Sequence, residues 1–208
     1  MSHQSDNIPG WMDVSRETES RLEALCDIVK KWTPTVNLVS KTTISNIWQR
    51  HIIDSAQVFY FAPPDARQWL DLGSGAGFPG LVIAILAAEQ RKGLQVCLVE
   101  SDQRKAVFLN EAARALNIPV TVICHRIETI APRGADVVSA RALTALDGLC
   151  SYAKMHLNTG GVAIFPKGAN VEAEIETARK QWQFSLEVKA SRTDPAASIL
   201  LLRNVAHA

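Results

Sequence analysis

The sequence predicts an α/β fold, a doubly wound and mostly parallel sheet preceded by an N-terminal helical cap. Three observations predict it. From about residue 67 onward, short apolar runs fit for buried strands alternate with longer helical segments. The stretch Gln68 to Ala88 reads as strand, glycine turn and buried helix, the way such a domain opens. Residues 1–66 carry helical stripes and no comparable strand run, so they are expected to form a tail and cap beside a compact domain of residues 67–208.

Residues 1–14 read as a loose terminus. From Ser15, the positions Leu22, Leu25, Cys26, Val29 and Trp32 fall at helical spacing, and Pro34 is expected to end that helix. After the Asn37-Leu38-Val39 link, Ile44, Ile47, Trp48, His51, Ile52, Ser55, Ala56 and Phe59 predict one helix over about 44–61, closed by Pro63-Pro64-Asp65. Trp69 to Leu72 is the first strand. Gly73, Gly75, Gly77 and Gly80 interrupt it, and Leu81 to Ala88 follows with no polar face, so that helix is buried. Leu94 to Val99 is the second strand. Ser101 is the expected cap of the next helix, with Asp102 in its first turn. Its buried stripe is Val107, Phe108, Ala112, Ala115 and Leu116, leaving Arg104 and Lys105 on the solvated side. Pro119 to Cys124, Ala135 to Ser139 and Val162 to Phe165 are the next three strands. Helices are expected over about 143–157 and 171–182, with Asn158-Thr159-Gly160-Gly161 as a turn. Ser185 to Ala190 and Ser198 to Val205 form a closing hairpin around Thr193-Asp194-Pro195.

Composition narrows the function. The 208 residues are 47% hydrophobic and 21% charged, enough for one good core. A formal net charge of +1 gives no global basic footprint, so a nucleic-acid partner would have to be held by a local patch. The longest strictly apolar run, Leu81 to Ala88, is far below the ~18 residues of a membrane span, and the polar start has no apolar signal core. Cys26, Cys97, Cys124 and Cys150 lie apart inside apolar runs, without Cys-x-x-Cys spacing. They read as reduced core residues of a cytoplasmic protein, with no metal expected.

The glycine turn discriminates among ligands. A phosphate P-loop needs lysine directly after the last glycine, and Leu81 stands there. A dinucleotide fold wants an acid about 20 residues after the glycines; Glu100 comes 27 positions after Gly73. Gly73-x-Gly75-x-Gly77 after the acidic strand end at Asp71 resembles instead the S-adenosylmethionine (SAM) methyltransferases, in which the acid after the second strand takes the ribose hydroxyls. In such sheets ligands bind beyond the carboxyl ends of the strands. Gly73 to Phe78, Glu100, Ile127, Glu128, Ser139 to Arg141 and Lys167 all fall at strand ends.

The acceptor sets the remaining chemistry. Exocyclic base amines are served by an Asn/Asp-Pro-Pro-Tyr/Phe segment after the fourth strand, where this chain has Ser139-Ala140-Arg141. Pyrimidine carbon-5 needs a cysteine nucleophile, and none is placed for it. Guanine N7 has a free lone pair and no proton to lose. Arg141 and Lys167 could hold guanine oxygen or phosphate. Taken by spacing alone, Arg50 and Asp54 form a surface ion pair and His51 is a hydrogen-bonded core histidine.

The chain resembles a family of bacterial 16S ribosomal RNA guanine-N7 methyltransferases, the glucose-inhibited division protein B family. The resemblance rests on Asn37-Leu38, Arg50-His51-x-x-Asp54-Ser55, Asp71-x-Gly73-x-Gly75-x-Gly77-Phe78-Pro79-Gly80, Glu100-Ser101, Arg104-Lys105, Phe108-Leu109, Arg126-Ile127-Glu128, Ser139-Ala140-Arg141-Ala142 and Lys167-Gly168. It spans nearly the whole chain. It implies SAM at Gly73, Gly75, Phe78, Ile127, Glu128 and Arg141, with Glu100 at the ribose. It also reverses the spacing-based reading of Arg50, His51 and Asp54, which become RNA or active-site residues beside Lys167, while Arg141 and Lys167 stay the catalytic candidates named above from their chemistry. The implied partner is the small ribosomal subunit, met by a monomer. One departure is Ala196-Ala197-Ser198, where family members often carry a basic residue before the last strand. The alternatives are a nicotinamide oxidoreductase, a non-catalytic SAM-binding assembly factor and a small-molecule methyltransferase. The first lacks a Tyr-x-x-x-Lys pair, since Tyr60 is followed at that spacing by Pro64 and Tyr152 by His156.

Overall fold

The computed structural model describes residues 8–208, apart from the Lys41 side chain; the expected loose terminus at residues 1–7 lies outside them. Residues 8–14 are not loose. Ile8 and Met12 are buried, and Trp11 meets Tyr60 edge-on at 5.7 Å while Arg192 covers its ring at 4.6 Å. Three large apolar side chains in seven residues gain more from burial than the backbone loses in ordering.

Helix α1 (Arg16–Val36) is capped by Ser15, whose side chain accepts from Thr18 N. It continues past Pro34. In the last turn that proline removes a single ladder bond, and Asn37, left-handed at φ 54°, closes the helix by donating to Thr33 O. The expected second helix is three pieces: a short turn α2 (Lys41–Ile44), a π-turn (Trp48–Ile53) and α3 (Asp54–Phe61). The stripe of apolar residues was correctly read, but a π-turn inserts a residue that a 3.6 period cannot show.

Strands β1 (Gln68–Leu72), β2 (Gln95–Val99), β3 (Thr121–Ile123), β4 (Ala135–Ala140), β5 (Leu157–Lys167), β6 (Trp182–Ala190) and β7 (Ser198–His207) make one sheet in the order β3-β2-β1-β4-β5-β7-β6. The first five are parallel, and β7 runs antiparallel to both β5 and β6. The doubly wound α/β sheet expected from the sequence is therefore present. The strand order reverses between β1 and β4, and a cleft must open beyond their carboxyl ends.

Helices α4 (Gly80–Gln90) and α5 (Gln103–Ala115) back one face with α1; α6 (Leu146–His156) and α7 (Val171–Ala178) back the other. Gly80 to Ala87 are all buried, as a helix without a polar face requires. Four details depart from expectation. Asp102, not Ser101, caps α5 by accepting from Arg104 N and Lys105 N. Val107 and Ala115 are exposed, while Ala106, Leu109 and Ala113 take the buried stripe. Asn158 to Gly161 is a bulge inside β5, since Ala135 pairs with Leu157 and Val137 with Val162. Helix α7 stops at Ala178, and Trp182 begins β6, its ring stacked 4.0 Å from His207. Cys26 and Cys150 are buried and Cys97 is half-buried, but Cys124 is exposed beyond the short β3. No helix among the described residues is long and apolar enough to cross a membrane.

Candidate active site

The glycine turn leaves β1 in a conformation that side chains resist. Gly73, Gly75 and Gly77 have φ of 64°, 55° and 83°. A Cβ on Gly73 would lie 2.7 Å from Leu143 Cδ1, and one on Gly80 would lie 2.7 Å from Asp71 Oδ2. Gly80 thus admits the Asp71 carboxylate beneath the turn. Asp71 is fully buried; its Oδ1 accepts from Ser139 Oγ at 2.6 Å, and Ser139 Oγ accepts from Trp69 Nε1 at 2.9 Å. Burial pushes the carboxyl up to about 6. This chain of bonds ties β1 to β4 behind the turn, away from the cleft.

Glu100 ends β2 and is almost buried. Its Oε2 accepts from Gly75 N and its Oε1 from Asp102 N, both at 2.8 Å. One carboxylate therefore fixes the turn and the start of α5, and each oxygen keeps a further lone pair for a ligand. Gly73, Gly75, Glu100, Ile127 and Glu128 line one cleft of about 340 Å³, with Lys105, Arg126, Ala142, Leu143 and Tyr152. Glu128 accepts from Tyr152 Oη at 2.5 Å, and that bond is the main cause holding its carboxyl below the usual range. Phe78 and Arg141, expected with this group, instead face a second cleft of about 450 Å³. The two clefts adjoin, sharing Gly73, Gly75, Lys105 and Ala142.

The cap completes the site through Arg141, at the end of β4. Its Nη1 donates to Arg50 O at 3.2 Å and lies 3.4 Å from Asp54 Oδ2. Its Nη2 meets His51 Nδ1 at 2.8 Å, and its guanidinium stands 5.5 Å from the Phe78 ring centroid. An arginine can only donate, so Nδ1 accepts and the imidazole proton sits on Nε2. The His51 ring stacks on Phe78 at 4.9 Å and 16°. Burial first, then Arg141 and Arg50, lower its pKa to about 4. Its Nε2 is buried without a partner among the described residues.

Arg50, His51, Asp54, Arg141 and Lys167 line a third cleft of about 610 Å³. The Arg50–Asp54 ion pair expected from spacing does not form. The π-turn rotates Arg50 away, and it pairs with Asp194 at 3.1 Å in the β6–β7 turn. Asp54 accepts instead from Thr193 Oγ1 at 2.7 Å and Gln57 Nε2 at 2.9 Å. Lys167 Nζ reaches Glu174 Oε2 at 2.7 Å and Thr144 O at 3.1 Å. The sequence places Ala142 in the Ser139-Ala140-Arg141-Ala142 motif without a role of its own; it lines all three clefts in a left-handed conformation at φ 52°. The sequence reading missed Leu143, Tyr152 and Thr193, ordinary residues on loops and a helix surface with no motif of their own.

Comparison with known proteins gives consistent results. The family model described as GidB, rRNA small subunit methyltransferase G, matches residues 18–197. A protein of Ruegeria pomeroyi named ribosomal RNA small subunit methyltransferase G is 52% identical over 93% of this chain and 95% of its own length. One of that name from Cereibacter sphaeroides is 48% identical over the whole of both chains. Among solved structures, an O-methyltransferase from Bacillus cereus in complex with SAH superposes with a TM-score of 0.60 at 14% identity, covering 89% of this chain and 91% of that one. The T. Thermophilus 16S rRNA N2 G1207 methyltransferase, in complex with AdoMet and guanosine, gives 0.51 at 17% identity, covering 72% of this chain and 38% of that one. At these identities the structural likenesses establish the fold.

Proposed function

The chain belongs to the rRNA small subunit methyltransferase G family, and from that premise we propose that it methylates N7 of a guanine in 16S ribosomal RNA. It is a SAM-dependent rRNA methyltransferase. The clefts suit the cofactor. The glycine turn leaves room for close approach: a Cβ on Gly75, which lines both the first and second clefts, would meet only Gly73 O, at 3.7 Å. When bound, SAM supplies a methyl carbon whose bond to sulfur breaks as the guanine lone pair attacks, so positive charge passes to the base and no proton leaves. Gly73, Gly75, Ile127 and Glu128 would hold the cofactor, with Glu100 at the ribose and Phe78 and Arg141 toward the second cleft.

The observation that carries the N7 assignment is that proton acceptors in the third cleft are already engaged. Asp54 accepts from Thr193, Gln57 and Arg141. Glu174 accepts from Lys167 and Leu146 N, and Asp194 from Arg50 and Ala196 N. The His51 lone pair faces Arg141. An acceptor that must lose a proton would find no ready base here among the described residues, whereas N7 needs none. Arg141 and Lys167 would then position the base and its phosphate, with Arg50, His51 and Asp54 forming the cap side of the RNA site. The cap of residues 1–66 and the domain of residues 67–208 would work as one unit, a single copy acting on the subunit in the cytoplasm.

The test is transfer of labelled methyl from SAM to small ribosomal subunits lacking their own modifications, followed by nuclease digestion and mass identification. Label in 7-methylguanosine supports the reading. Label on another atom of the RNA breaks the N7 assignment. No label, with SAM binding intact, overturns the catalytic reading in favour of an assembly factor.

A further inference from the structure

Among the described residues, five lysine and arginine side chains line the three connected clefts: Arg50, Lys105, Arg126, Arg141 and Lys167. Four are committed within the protein. Arg50 pairs with Asp194 at 3.1 Å and Arg126 with Glu128 at 3.5 Å. Arg141 is spread over His51, Asp54 and Arg50 O. Lys167 pairs with Glu174 and donates to Thr144 O, its side chain only 10% exposed. Lys105 differs. Its backbone N–H donates to Asp102 Oδ1, but among the described residues its ammonium has no carboxylate and no hydrogen-bond acceptor. Of the acids lining the first cleft, Glu100 accepts from Gly75 N and Asp102 N and Glu128 from Tyr152 Oη, and neither forms an ion pair with Lys105.

The position of Lys105 is as telling as its freedom. It is half-buried at the start of α5, and it lines both the first and the second clefts. Across the second cleft lie Leu38, Val39 and Ser40 of the cap, with His51, Phe78 and Arg141 beside them. A base entering between Arg141 and the glycine turn would carry its sugar-phosphate across this mouth. The formal net charge of +1 makes one unpaired cation there weigh more than it would on a basic protein.

We propose that Lys105 is an RNA-positioning residue that takes a phosphodiester of the acceptor strand at the junction of the cofactor and base clefts. The inference rests on the methyltransferase reading above. It adds a phosphate contact by the unpaired ammonium at the mouth to the base and phosphate positioning proposed for Arg141 and Lys167, whose side chains also tie the walls of the third cleft together.

The experiment compares wild type with Lys105→Ala and Lys105→Arg. It measures SAM affinity by calorimetry, and methyl transfer to unmodified small subunits at several salt concentrations. Thermal melting checks that each variant folds. Lys105→Ala is expected to bind SAM as wild type does and to lose about three- to tenfold in kcat/KM for the subunit, mainly through KM. The salt dependence should flatten by about one counterion, and Lys105→Arg should restore most of both. Equal salt slopes for wild type and Lys105→Ala would overturn the proposal. So would a matching loss of SAM affinity, which would assign the ammonium to the cofactor carboxylate. An inactive wild type would instead count against the methyltransferase reading, and so separates the two failures.

Discussion

His51 and Asp71 should give the fold two opposed pH dependences, and single substitutions should expose each. His51 has an ordinary pKa of 6.5, lowered to about 4 in the fold. Below pH 6.5 the unfolded chain takes a proton that the folded chain refuses, so this group's contribution is present above 6.5 and is lost as pH falls toward 4. At 1.36 kcal/mol per pH unit that is about 3 kcal/mol. Asp71 runs the other way. Its ordinary 3.8 is raised to about 6 by burial. Below pH 6 the folded chain holds a proton that the unfolded chain does not, so stability from this group is present at low pH and is lost as pH rises through 6, again by about 3 kcal/mol. The groups around them are Arg141 and Arg50 at His51, and Ser139, Ser74 and Arg141 at Asp71. The assay is urea unfolding of wild type, His51→Gln and Asp71→Asn from pH 7.5 to 4.5. Wild type should lose about 2–3 kcal/mol relative to His51→Gln across that range. It should gain a similar amount relative to Asp71→Asn between pH 6.5 and 4.5. A constant difference between wild type and His51→Gln would show that the imidazole is not held neutral, and would remove the argument that it accepts from Arg141.

Three further outcomes follow from the site. Gly73→Val puts a β-branched side chain at φ 64° and against Leu143; SAM binding by calorimetry should vanish, and micromolar affinity would refute the role of the turn. Arg141→Lys cannot serve His51, Asp54 and Arg50 O together. It should cost about 2 kcal/mol, a melting temperature lower by about 4–8 °C, with a larger proportional fall in kcat/KM; unchanged turnover would remove Arg141 from the acceptor site. Lys167→Ala should leave SAM affinity intact and slow methylation, whereas an unchanged rate on the correct subunit would confine Lys167 to its pairing with Glu174 and Thr144.

The sheet was legible because its signals are local. The strand at Trp69, the four glycines and the wholly apolar Leu81–Ala88 run each determine their own surroundings, and the acid at Glu100 falls at a strand end by counting. What escaped the sequence depends on distance or on irregular backbone. Arg50 meets Asp194 across 144 residues, so no spacing rule could prefer it to Asp54. The π-turn hides in a stripe that still looks helical. Trp182 looked like the end of a helix and proved to be the start of an edge strand, because it packs on His207 from the other end of the hairpin. Ala142 carries no chemistry by type; it stands in the sequence only as the end of a motif, and its left-handed backbone angle is what gives it a place in the clefts.

These irregular features converge on one side chain. Arg141 leaves the sheet at the strand-order reversal, immediately before the left-handed Ala142, and reaches into a π-turn that brings Arg50 O, His51 Nδ1 and Asp54 within its span. A regular α-helix there would keep Arg50 and Asp54 neighbours on one face, and the cap would be satisfied without the sheet. The widened turn sends the Arg50 side chain to the β6–β7 hairpin through Asp194, while Asp54 meets the same hairpin through Thr193. Cap, cofactor-side sheet and closing hairpin are thus joined by charge-assisted bonds around the cleft the acceptor would enter. A loosened cap should therefore be felt on both ligand sides, with SAM and RNA affinities weakening together in His51 and Asp54 variants. A residue that only touches RNA, as inferred for Lys105, should weaken RNA binding alone.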